Sequence, residues 1–264
     1  MTSTFDFLNG YYTVYNENGR LASRHGSVEF RTTVRYIERY LKPGMNILEI
    51  GAATGRYSHY FARQSYAVDA VELIPHNIEL FREHTQDGEN VRIFEGNAVD
   101  LSMFADDSYD IVLLLGPMYH LFTDEDRTAA LSEAVRVTKP GGVMMASYCM
   151  NEGTVINYLF GKHKIFEESL QPLIDRETFK LDSVPEQLFV LWRQEDIRKF
   201  TDRLPVERLH FVGTDMYTKY FPDMVDSLDD REFAEYLNYH FAVCERADMV
   251  GISHHTLDIL RKRG

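Results

Sequence analysis

The stretch Ile47-Leu48-Glu49-Ile50-Gly51-Ala52-Ala53-Thr54-Gly55-Arg56-Tyr57-Ser58 constrains this chain more than any other. A short apolar run carries one acid, Glu49. Two glycines follow, Gly51 and Gly55, and then a helix-compatible segment. An apolar run of this length bounded by glycine reads as a buried strand ending in a tight turn. Glycine lacks a Cβ, so φ can turn positive and a ligand can press against the backbone. The free N–H groups of the next helix's first turn would face that ligand. The segment therefore predicts an α/β fold with a small molecule held at one sheet edge.

The downstream sequence repeats the strand–helix cadence. Residues 66–73 (YAVDAVEL) read as a second buried strand ending in Glu72, whose carboxylate can accept two hydrogen bonds from a ribose diol. Pro75 suits a first helical position, and Ile74, Ile78 and Phe81 give that helix an apolar face. A third strand spans 91–96 and leads into Asn97-Ala98. A fourth spans 109–116 and leads into Pro117, Met118, Tyr119 and His120. Thr123, with Asp126 three residues on, predicts a helix start, and Lys139-Pro140-Gly141-Gly142 predicts its stop. A fifth strand covers 143–148. This alternation predicts a doubly wound, mostly parallel sheet, with candidate ligand residues just past the strands' C-terminal ends.

Dinucleotide turns use Gly-x-Gly-x-x-Gly; here the positions are Gly51, Ala53 and Arg56, so two of three fail. The pattern acid-x-Gly-x-x-x-Gly instead resembles motif I of the class I S-adenosylmethionine (SAM) methyltransferases. The ordered set of turn, ribose acid, Gly96-Asn97-Ala98, apolar fourth strand and Lys-Pro-Gly-Gly turn resembles that family over roughly 45–150. The resemblance implies a seven-stranded sheet whose last strand, 253–262, inserts antiparallel beside a sixth at 207–213. It implies SAM as cofactor and S-adenosylhomocysteine as product, with Glu49 toward the cationic end of the methionine part and Gly51, Ala52, Ala53 and Gly55 admitting it. Glu72 and Leu73 fall at the ribose, and Asn97, Ala98 and Leu115 near the adenine and the fourth strand tip. Glu72 alone fits NAD as well as SAM. Ala53 stands where the family often has glycine; if the turn needs positive φ there, the methyl costs about 1 kcal/mol or more.

The resemblance also organises the remainder. Residues 1–44 form an N-terminal cover, with Phe30, Val34, Ile37 and Leu41 marking an amphipathic helix. Residues 45–148 form the SAM-binding core, 149–204 an inserted lid, and 205–264 the completing strands and a helix over 230–249. Tyr11, Tyr12 and Tyr15 lie ahead of that amphipathic helix; Tyr11 and Tyr15 are candidates to close over cofactor or acceptor, since aromatic faces attract a sulfonium. They serve equally as packing residues. His120, which titrates near neutrality, is the first candidate base, with Tyr119 and His25 as alternatives; each is equally explained as structural.

Composition narrows the partners. The 264 residues carry a formal net charge of −13, and basic residues cluster only at Arg261-Lys262-Arg263. That disfavours nucleic acid. Gly116 also lacks the side-chain acceptor with which Asp/Asn-Pro-Pro-Tyr enzymes hold a nucleobase amine. No apolar run reaches the ~20 residues of a membrane span. Two cysteines, Cys149 and Cys244, make no disulfide framework, so a cytoplasmic setting is expected. No metal is expected: acids do not cluster, and His254 and His255 would point opposite ways in a strand. The expectation is methyl transfer to oxygen or nitrogen of a small molecule. A SAM-binding protein without transferase activity and a nicotinamide-dependent oxidoreductase are the alternatives. Oligomeric state is left open.

Overall fold

The computed structural model describes residues 3–14 and 23–264. Its centre is an eight-stranded sheet built from β1 (Asn46–Ile50), β2 (Ala67–Glu72), β3 (Val91–Glu95), β4 (Tyr109–Leu114), β5 (Thr138–Met150), β6 (Leu191–Trp192), β7 (Val206–Gly213) and β8 (His255–Lys262). The order is β3-β2-β1-β4-β5-β8-β7, with β6 attached to the end of β5. β1 to β5 run parallel, and β8 is antiparallel to both β5 and β7. The sheet thus has the expected architecture plus one strand. The two-residue β6, pairing Cys149 and Met150, is too short to announce itself by alternation.

Strands β1 and β4 are apolar almost throughout because both sheet faces are covered. One face packs around Leu48, Val112, Leu131, Met144 and Trp192, the other around Tyr36, Ile37, Phe61, Leu113 and Ile259. Helix α1 (Thr4–Val14) lies over the C-terminal sheet edge against α4. Helix α2 (Arg24–Glu38) buries Val34 and Ile37 as its periodicity predicts. Helix α3 (Arg56–Ala62) follows the glycine turn, and α4 (Pro75–His84) has Pro75 in its first turn and Ile78 and Phe81 buried.

Three boundaries differ from expectation. Helix α5 (Asp124–Val137) starts as predicted, Thr123 accepting the Asp126 N–H at 3.1 Å, but stops before the Lys-Pro-Gly-Gly turn. Thr138 is already extended, and Lys139 precedes proline, which disfavours helical geometry. The turn is absorbed into β5, where pairing with β4 shifts register between Tyr109 and Ile111. After a short helix, α6 (Gln194–Thr201), helix α7 (Asp230–Val243) ends at Val243 rather than 249. Beyond it, Glu245 is taken by Tyr36, Arg39 and His210. Residues 151–190 form short helical turns around a small cluster of their own, Val155, Leu159, Leu170, Ile174 and Leu181. Among the described residues, no helix is long and apolar enough to cross a membrane.

Candidate functional site

The C-terminal ends of β1, β2, β4 and β5 open into one cavity of about 860 Å³. That is within the usual range of about 300–1,000 Å³ for ligand sites. The turn after β1 forms its floor. Gly51, Ala53 and Gly55 all have positive φ, at 77°, 48° and 88°. Glycine is sterically required at two of these. A Cβ on Gly51 would stand 2.7 Å from Pro117 Cδ, and one on Gly55 2.6 Å from Phe81 and His59. Ala53 pays the left-handed cost foreseen from sequence, about 1 kcal/mol; its N–H donates to Glu72 Oε2 at 2.7 Å.

Two buried carboxyls face this floor. Glu49 accepts a hydrogen bond from Ser58 Oγ, and burial pushes its carboxyl up to about 8. Glu72 Oε1 accepts the Ile74 N–H at 2.8 Å, and Asn77 Nδ2 lies at 3.4 Å. Burial raises Glu72 as well, against the N–H groups of Ile74 and Ala53. Ile74 and Asn77 occupy Oε1, while Oε2 keeps a lone pair beyond the Ala53 N–H, so Glu72 retains acceptor capacity for a ribose hydroxyl. Ala52, Leu73, Ala98 and Leu115 line the same cavity. Asn97 does too, and its Oδ1 also accepts the Val99 N–H at 3.3 Å, so its turn role is realised.

Beyond the fourth strand the wall is aromatic. His120 Nδ1 lies 2.8 Å from the Leu188 carbonyl, which can only accept, so Nδ1 carries the proton. Nε2 therefore accepts from the Tyr12 hydroxyl at 2.8 Å. Burial pulls His120 down to about 4, so it is neutral near pH 7 rather than poised there as its sequence position suggested. Tyr119 and Phe189 stack around it, with centroids 4.8 and 5.2 Å away. Tyr11 packs against Tyr12 and Phe189 and lines the cavity. Tyr15 lies outside the described residues. His25 does not line the cavity; its Nδ1 is 2.7 Å from Asp226 Oδ2 at the start of α2.

Sequence reasoning did not single out Leu188 and Phe189, or Glu29, Thr214 and Lys219 at the cavity's far end; it noted His254 and His255 there only as a pair expected to point apart. The chain separation in Tyr12–His120, 108 residues, leaves no periodic signal. A polar residue just past β7 and a His pair opening β8 were the one clue available for the far end.

Comparisons bear on this geometry. Residues 47–142 match the family model of a methyltransferase domain. The ubiquinone biosynthesis O-methyltransferase of Methylocella silvestris is 28% identical over 127 residues, 48% of each chain. The chain thus spans about half the length of the curated relatives it matches. Among solved structures, a protein from Pyrococcus horikoshii OT3 aligns with TM-score 0.62 at 15% identity, covering 96% of this chain and 99% of that one. A possible histamine N-methyltransferase from Thermotoga maritima aligns with TM-score 0.59 at 16% identity, covering 99% and 100%. Likeness at such identity concerns the fold.

Proposed function

We propose that this chain, whose residues 47–142 match the model of a methyltransferase domain, is a class I SAM-dependent methyltransferase that transfers the sulfonium methyl of SAM to an oxygen or nitrogen of a small-molecule acceptor. The observation that carries the reading is the pairing of a left-handed glycine turn with two buried carboxyls, Glu49 and Glu72, at adjacent strand tips in one cavity. The turn admits the methionine part, and Glu49 meets its ammonium. Glu72 takes a ribose hydroxyl, and Asn97 and Ala98 border the adenine. Leu115 closes the floor beneath the methyl.

The protein's task follows from the cofactor. The acceptor atom attacks the methyl in line with the departing sulfur; the new bond to carbon forms as the S–CH3 bond breaks, and S-adenosylhomocysteine leaves. The chain orients the two partners and excludes water. The rings of Tyr11, Tyr12, Tyr119 and Phe189 offer faces to the sulfonium. His120 Nε2 is held by Tyr12, so a proton leaving the acceptor would pass through the Tyr12 hydroxyl to His120, or need no base for a neutral amine. The displacement itself calls for no metal. Residues 149–204 serve as lid and 1–44 as cover in this reading, with 45–148 holding the cofactor and 205–264 completing the sheet. The acidic charge favours a neutral or cationic small molecule over nucleic acid. Cys149 and Cys244, both free and buried, suit a reducing cytoplasm.

The test is transfer of labelled methyl from SAM into fractionated metabolite pools. A labelled small-molecule product supports the reading. Label only in nucleic acid, or none despite bound SAM, refutes it.

A further inference from the structure

The far end of the cavity holds a side-chain cluster that methyl transfer does not use. Strand β7 ends at Gly213, and Asp215 follows, fully buried. Its Oδ1 accepts from Ser253 Oγ, His254 N and His255 N at 2.8, 2.9 and 3.0 Å. Its Oδ2 lies 2.7 Å from His255 Nδ1, which is also 3.4 Å from Glu29 Oε2.

The expectation that His254 and His255 would point apart fails here. β8 begins at His255, so His254 stands outside the pleat that would have alternated them. The two rings are 4.7 Å apart, and one ligand atom from each of Asp215, His254 and His255 lies within 4.8 Å of the others.

His254 Nδ1 is the informative atom. It is buried and has no hydrogen-bond partner. An imidazole nitrogen left so is costly. Water does not explain it, because a water-sized probe does not reach the atom. A bare metal dication is smaller than a water molecule, so a site too tight for water can still hold one. The charge setting suits a cation: Glu29 and Asp215 flank His255, and the Cys149 thiol sits directly across the strand pair. Lys219, on the same cavity wall, opposes it.

We propose that Asp215, His254 and His255 form a binding site for a borderline transition-metal dication of the zinc class. Two imidazoles and one carboxylate select such ions over magnesium or calcium, which take oxygen shells. Three protein ligands leave a fourth position free. His254 and His255 both line the cavity, so that position faces the space beyond the cofactor. The ion would displace the proton shared by His255 and Asp215. The proposal does not rest on methyl transfer, because ion binding is measured by itself.

The test is calorimetric titration of the untagged, chelator-stripped chain with zinc chloride, with a SAM titration on the same preparation. One zinc per chain is expected, with binding weakened at least tenfold in His254→Ala and unchanged in Glu72→Ala. His254→Ala is preferred to Asp215→Asn, because Asp215 also braces the start of β8. A second variant, His255→Gln, should weaken binding to a similar degree. Absence of saturable zinc uptake, or uptake unchanged in both histidine variants, overturns the site. If SAM still binds in that case, the metal proposal falls and the methyltransferase reading stands.

Discussion

Glu49 offers a prediction with a magnitude set by the structure. Its carboxyl is buried and pushed up to about 8 from an ordinary 4.5. At pH 7 a group titrating at about 8 is about 0.9 protonated. An ammonium seated against it would favour the ionised form, so binding SAM at pH 7 should release about 0.9 proton per site. Removing that proton in advance costs about 1.4 kcal/mol per pH unit below 8. Affinity should therefore rise close to tenfold from pH 6 to pH 7 and flatten near pH 8. Above that the cofactor's own amino group, with an ordinary value of about 8, begins to lose its charge. The same shift has a stability consequence of definite sign. A carboxyl raised in the folded state contributes most below pH 4.5, and its contribution is lost as pH rises through about 8, so bound SAM should stabilise the chain more at pH 8 than at pH 6. The assay is calorimetry at pH 7 in buffers of differing ionisation enthalpy, with Glu49→Gln as control. Heats independent of buffer, or an unchanged buffer dependence in Glu49→Gln, would refute the placement of the ammonium at Glu49.

Other outcomes follow from single contacts. Gly55→Ala places a methyl 2.6 Å from Phe81 and His59 at φ 88°, and denaturant unfolding should show a loss of roughly 2–4 kcal/mol. His120→Ala should lower turnover about 100-fold while changing SAM affinity less than threefold; equal losses in both would make His120 a packing residue. His240, buried and pulled down to about 4, gives stability that is present above pH 6.5 and lost as pH falls toward 4. The unfolding free-energy gap between the native chain and His240→Gln should accordingly shrink over that interval.

The legible part of the site was the part written in one short segment. Glu49, Gly51 and Gly55 are neighbours in sequence and in space, and the strand tips at Glu72 and Asn97 recur at a readable cadence. The illegible part depends on distant pairings. Tyr12 meets His120 across 108 residues, and Asp215 meets His255 across 40. Nothing local marks either contact. His120 shows the limit of residue type as evidence: its position past β4 was readable, but the burial that holds it neutral, against the opposing pull of the Leu188 carbonyl, arises only in the folded chain. The Lys-Pro-Gly-Gly turn marked a real break, but extended geometry at Thr138 moved the helix end upstream of it.

The central claim is that the β1 turn and the acid at the β2 tip hold SAM. Its most direct measurement is a calorimetric titration of the native chain and Glu72→Ala with SAM, alongside NADH. The account predicts one SAM per chain, weakening in Glu72→Ala on the order of 10–100-fold for lost hydrogen bonds to a charged group, and no heat with NADH. Saturable NADH binding without SAM binding, or a Glu72→Ala variant that binds SAM as the native chain does, would contradict it.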